Sequence, residues 1–270
     1  MTVRTHTFPL TETPRAIEVR NPAGSVTVRA VEGADELAVR VEALDGADHT
    51  ADRVDVDASP SRLRVSVPER RLVRTPALAI EVTTPPGAAV RVAVGSADVE
   101  LRGRLGHTEV TGASGDVSVE HCTELELRSA SGDVQAGAVE GVATVATASG
   151  NVRMDSAGGA VLVRTASGDV TVGEAGDDVS VTSASGDINI GRACRGTVQL
   201  KTVSADARVS VKPGLRVWLD VRSISGRLYS GLDDEGPDAG GSREAELAVV
   251  LQSVSGDLRV RRAAPRAASD

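Results

Sequence analysis

A turn that recurs at nearly constant spacing is the strongest constraint on this chain. Ser-Gly-Asp-like triplets end at Asp98, Asp116, Asp133, Asn151, Asp169, Asp187, Asp206, Arg227 and Asp257. The steps between them are 18, 17, 18, 18, 18, 19, 21 and 30 residues. A near-fixed period of this length marks a structure built of stacked, similar units. Each unit carries two alternating segments, such as Asp169-Val170-Thr171-Val172 and Asp178-Val179-Ser180-Val181. Alternation with period two means strands, not helices. Strands this short are stable only when neighbours share their hydrogen bonds and one apolar interior. The pattern therefore predicts an all-β fold. The expected form is a β-solenoid, a single-stranded β-helix or β-roll, with about 18 residues per coil and an irregular N-terminal portion.

The turns have a complete structural reading. In Ser114-Gly115-Asp116, Ser131-Gly132-Asp133, Ser149-Gly150-Asn151, Ser167-Gly168-Asp169 and Ser185-Gly186-Asp187 the serine can satisfy local amides. The glycine permits positive φ, and the carboxylate or amide that follows can accept backbone N–H groups. Asp98 stands at the same place one unit earlier. Two residues before each turn serine lies a small hydroxyl: Ser129, Thr147, Thr165, Ser183, Thr202, Ser223 and Ser253. These are expected to point inward where the chain curves and to bond turn backbone.

Three regions follow. Residues 1–84 alternate less regularly and read as divergent β coils or a β cap, which would protect an open end. Residues 85–262 are the repeats, with a Gly/Asp-rich loop inserted at 231–244. Residues 263–270, rich in Ala, read as a disordered tail.

Composition narrows the function. The formal charge is -8, against a general nucleic-acid binder. Phe8, Trp218 and Tyr229 are the only aromatic residues, so the core is aliphatic and no aromatic platform for sugar rings is present. Large rings would force thin stacked layers apart. Trp218 either seals the less regular end or faces outward as a contact residue, because Val217, Leu219 and Val221 take the other parity. No stretch is apolar for long enough to span a bilayer. The start, MTVRTHTFPL, lacks the apolar run of a secretory signal. The expected location is cytoplasmic or peripheral to the envelope. Cys122 and Cys194 are no disulfide framework and suit a reducing compartment.

Other candidates weigh less. Stacked aspartates could hold calcium, but Asn151 and Arg227 interrupt the column, and carboxylates capped by backbone amides are preferred. His107 and His121 lack metal-ligand spacing and are read as surface residues. No metal, cofactor or catalytic residue is assigned, and the chain is read as not an enzyme. Outward arginines keep strand faces soluble. Arg216 and Arg222 join Trp218 and Tyr229 as the candidate interaction residues near the C-terminal end.

The repeated (Ser/Thr)-Ala-Ser-Gly-Asp-(Val/Ile) turns in a Val-rich, acidic chain resemble the bacterial "putative adhesin" β-strand-repeat family, a family of unknown function. The similarity is clearest over residues 95–261. It implies a β-helical fold, a place at the cell envelope or beside stress and membrane-sensing genes, and no established catalytic residues. The combined expectation is a non-enzymatic scaffold or protein-interaction module. Its partner would be a protein or envelope component, or a second copy met through an end coil. A carbohydrate-binding or carbohydrate-processing β-helix is the alternative.

Overall fold

The computed structural model describes residues 3–9, 16–44, 54–59, 61–68, 77–232 and 245–264. The chain divides into two compact units, Met1–Glu140 and Gly141–Asp270. Of the expected loop at 231–244, residues 233–244 lie outside the described residues, as do 265–270 of the expected tail.

All described elements are strands, and most pair in parallel at the spacing of the repeat. The expected solenoid form is corrected. The strands belong to an almost entirely parallel sheet that curls through 323° into a near-closed barrel, not an open β-solenoid or β-helix of stacked coils. The repeat dictates which strands are register neighbours. It does not dictate curl, which accumulates from the twist between each pair of strands.

In the second unit two columns of parallel strands form. Ala143–Ser149 pairs with Val161–Ser167, which pairs with Val179–Ser185 and then Gly196–Ser204. Beside them run Val152–Ala157, Val170–Ala175, Ile188–Ala193 and Ala207–Val211. Alternate residues turn inward because successive side chains on a strand point to opposite faces. Val161, Val163, Val170, Val172, Ile188 and Ile190 are all buried.

Past Gly196–Ser204 the order in space departs from the order in the chain. Leu247–Ser255 lies between Gly196–Ser204 and Val217–Ser225. Leu258–Arg262 likewise lies between Ala207–Val211 and Leu228–Gly231. The long step between Arg227 and Asp257 thus coincides with an exchange in the order of the layers. The chain builds the outer layer first, then returns to fill the layer beneath. The placement follows apolarity. Leu247, Val249, Leu251, Leu258 and Val260 are buried in the inner layer. The outer layer sets Ser230 opposite Val260.

The first unit uses the same device. Ala16–Ala30 lies between the stretch 89–102 on one side and Arg62–Ser66 with Leu78–Thr84 on the other. Here the outer layer is covered by antiparallel strands: Asp55–Ser59 on Arg62–Ser66, and Glu36–Ala43 with Val3–Pro9 beyond Leu78–Thr84.

The turn glycines let successive units approach. Gly168 has φ +119, and a Cβ there would lie 2.2 Å from the carbonyl oxygen of Gly150. Gly214 also has positive φ, but a Cβ there would meet nothing within 4 Å. Gly168→Ala should therefore lower stability by about 2–3 kcal/mol or more, since it adds a backbone collision to the conformational cost. Gly214→Ala should cost only the latter, about 1–2 kcal/mol. Urea unfolding midpoints of the two variants test the ranking.

Candidate functional site

The aspartate column is a chain of backbone contacts. Asp98 Oδ1 accepts the N–H of Asp116 at 3.0 Å, and Asp116 Oδ1 accepts that of Asp133 at 2.9 Å. In the second unit Asn151 accepts from Asp169 at 3.0 Å and Asp169 from Asp187 at 2.8 Å. Asp187 accepts from Asp206 at 3.2 Å, Asp206 from Asp257 at 2.8 Å, and Asp257 from Arg227 at 3.1 Å. Asn151 shows that an amide oxygen can take the place of a carboxylate. Arg227 stands at the outermost layer, where no further N–H follows among the described residues. Its departure from the motif marks the end of the column.

The hydroxyl column lies just inside. Ser129, Thr147, Thr165, Ser183 and Ser253 each donate to the carbonyl of the turn serine two residues on, at 2.8–3.0 Å. Thr202 Oγ1 is buried without a partner. Its turn carries Ala205 where the others have glycine, and no non-glycine residue here has positive φ. That turn therefore has a different backbone course from its neighbours. Ser223, in the outermost layer, is exposed. In the second unit turn serines Ser149, Ser167 and Ser185 stack at one corner, and Ser185 Oγ reaches Ser167 Oγ at 3.3 Å; in the first, beside Ser114, Ser131 Oγ donates to the carbonyl of Ala113 at 3.4 Å.

The histidines do not converge. His107 Nδ1 lies 3.1 Å from Glu124, and His121 Nε2 lies 2.8 Å from Glu140. Their strand register sets His107 opposite Glu124 and His121 opposite Arg104. Cys122, beside His121 in sequence, points the other way and is fully buried. Burial pushes its thiol up to about 11, against a hydrogen bond with Thr108 that favours the thiolate. Partial burial and the neighbouring Glu174 carboxylate also raise the Cys194 thiol. Both cysteines are free. Among the described residues no group of three or more His, Cys, Asp and Glu side chains could hold a metal ion.

The C-terminal end of the second unit is different. Val217–Ser225 pairs with Leu247–Ser255 alone, and Leu228–Gly231 with Leu258–Arg262 alone, among the described residues. Trp218 faces outward and is 52% exposed, which decides between its two expected orientations. Val217, Leu219 and Val221 take the inward parity but are only half-buried, for want of a covering layer. Arg222 pairs with Asp220 at 3.2 Å. Tyr229 lies under the Arg259 guanidinium, 5.3 Å from the ring centre. Arg216 is tied back by its own amide, which donates to Glu246 at 3.2 Å.

Sequence reasoning missed the apolar ridge beside them. The residue after each inner hydroxyl is Ala148, Ala166 and Ala184 in the regular repeats, but Val203, Val254 and Ile224 at this end. Register stacks the last three in that order. They are 54%, 45% and 84% exposed. Val254 and Ile224, with Lys201, Arg222 and Gln252, border a groove of about 430 Å³. The signal was present as the replacement of a repeated alanine by branched aliphatics.

Two outcomes follow from the columns and the buried thiol. Asp169→Ala should cost about 0.5–1.5 kcal/mol by leaving the Asp187 N–H without its acceptor, and Asp169→Asn much less; chemical denaturation compares them. The Cys122 proton is held more tightly in the folded than in the unfolded chain. Its contribution is thus complete below the ordinary thiol value of 9.0 and lost as pH rises through about 11. The fall in unfolding midpoint from pH 9 to pH 11 should be smaller in Cys122→Ala than in the native chain.

Among curated proteins none matches the chain. Among solved structures it is similar to a "putative lipid binding protein" from Parabacteroides distasonis, at 13% identity over 94% of this chain and 96% of that one, with a TM-score of 0.45. It is also similar to a "putative adhesin" from Bacteroides fragilis, at 14% identity over 96% and 97% of the two chains, with a TM-score of 0.38. A "putative adhesin" from Parabacteroides distasonis matches at 11% identity over 96% and 97%, with a TM-score of 0.37. The model of the Toastrack DUF4097 family matches residues 15–261, nearly the whole repeat array with its irregular first part. The chain belongs to the Toastrack DUF4097 family, a bacterial family of β-rich repeat proteins.

Proposed function

We propose that this protein is a non-enzymatic structural and interaction module, and that its contact surface is the C-terminal end of the second unit. One observation carries the reading. Trp218 and Ile224 are exposed near the two ends of Val217–Ser225, Ile224 beside Val254 and Val203, and the outer edge of that strand pairs with nothing among the described residues. Exposed apolar side chains along an open edge mark a binding surface rather than a chance of composition. An extended segment of a partner adds to such an edge through its backbone, and flanking side chains select it.

The polar groups elsewhere support the same reading. Outward acids and arginines are engaged pairwise, as in Arg91–Glu109 at 2.7 Å within one strand and Arg195–Asp177 at 3.2 Å between turns. The aspartate column is occupied by backbone N–H groups. Neither arrangement converges on a reacting group. No helix among the described residues is long and apolar enough to cross a membrane. The partner is a protein or envelope component. The location is cytoplasmic or peripheral to the envelope, in keeping with two free thiols.

Affinity capture from the native host with wild-type, Trp218→Ala and Ile224→Asp chains tests this, with circular dichroism to verify folding. The expected result is a specific partner recovered by the native chain and depleted with both variants. Equal recovery by all three would remove the surface from consideration.

A further inference from the structure

The outer strand carries a sequence that complements itself. It reads Val217-Trp218-Leu219-Asp220-Val221-Arg222-Ser223-Ile224-Ser225. Directly opposed residues in an antiparallel pair lie on the same face and touch. If a second copy is laid antiparallel with Val221 opposite Val221, Trp218 meets Ile224 and Asp220 meets Arg222. Each contact occurs twice. On the other face Leu219 meets Ser223, and Val221 meets its equivalent.

Other registers fail on the same residues. Centring on Asp220 sets two carboxylates face to face, and centring on Arg222 sets two guanidinium groups face to face. Centring on Leu219 opposes Arg216 to Arg222. Centring on Ser223 opposes Arg222 to Ile224. Only the Val221 register joins opposite charges and covers the two most exposed apolar groups of the strand, Trp218 and Ile224. It also places new sheet beside Val217, Leu219 and Val221, which are half-buried for lack of it.

A parallel continuation is not provided for. Each added repeat donates its turn N–H to an acceptor in the layer before, as Arg227 does to Asp257. Arg227 itself offers no carboxylate or amide oxygen to a further one. We propose that the protein forms a two-fold symmetric dimer by antiparallel pairing of Val217–Ser225 with its copy, Val221 lying on the dyad. The interface is isologous and closes at two chains. The proposal rests on reading this end as a contact surface and names a second copy as its occupant.

Sedimentation equilibrium over a concentration series tests it. The native chain should show twice the chain mass of 27.7 kDa. Asp220→Arg and Arg222→Asp each oppose like charges at two places and should weaken self-association roughly tenfold or more. The double variant, with both changes, should recover it. Val221→Cys should form an intermolecular disulfide under mild oxidation, since opposed Cα atoms about 4.5–5.5 Å apart are within reach of one. Leu219→Cys, facing Ser223, should not. A native chain that stays monomeric overturns the proposal, as does a dimer indifferent to the single changes or not restored by the double one. If the chain is monomeric while Trp218→Ala still abolishes capture of another protein, self-pairing falls and the interaction reading stands. A dimer with unaltered capture of other proteins gives the converse.

Discussion

Successive turns in this protein sit so close that a single methyl group would not fit between them. A Cβ at Gly186 would lie 2.3 Å from the Gly168 carbonyl oxygen, just as one at Gly168 would meet Gly150. That approach holds the units in parallel register. Register in turn aligns the two polar columns and the inward valines. The Asp column, the hydroxyl column and the aliphatic interior are therefore consequences of one tolerance at the corner. Side-chain oxygens satisfy the backbone that the tight turn would otherwise leave unpaired.

Where the tolerance is relaxed, the columns show it. Ala205 interrupts the glycine series, and Thr202 loses the hydrogen bond that its counterparts make. In the first unit the buried side chain of Asn21 takes over a comparable task. Its amide donates to the carbonyls of Ser25 at 3.1 Å and Leu78 at 2.9 Å. Both cases show backbone course, rather than side-chain identity alone, deciding which oxygen finds a donor.

The two units treat their outer layers differently. In the first, antiparallel strands cover Arg62–Ser66 and Leu78–Thr84. In the second, Val217–Ser225 has no such cover among the described residues, and the interior residues behind it are only half-buried. An open edge ordinarily invites indiscriminate pairing. Here Asp220 and Arg222 place alternating charge on it, which restricts the registers that a partner strand can adopt.

The strands, their alternation and the turn chemistry were legible in the sequence, because each depends on residues close together in the chain. The repeat spacing named Gly168 and Asp169 as turn residues, and the parity of Val217, Leu219 and Val221 left Trp218 two orientations. The ridge at Val203, Val254 and Ile224 was legible only as a departure from a repeated alanine. Two features were decided by tertiary structure. The curl of the sheet sums small rotations over many strand pairs, and no local motif encodes that sum. The placing of Leu247–Ser255 beneath Val217–Ser225 is a competition between repeats of nearly equal register. Any of them could pair with Gly196–Ser204. The more apolar repeat takes the buried layer because burial there removes more apolar surface from water, and the one carrying Ser230 and Arg227 is left at the edge.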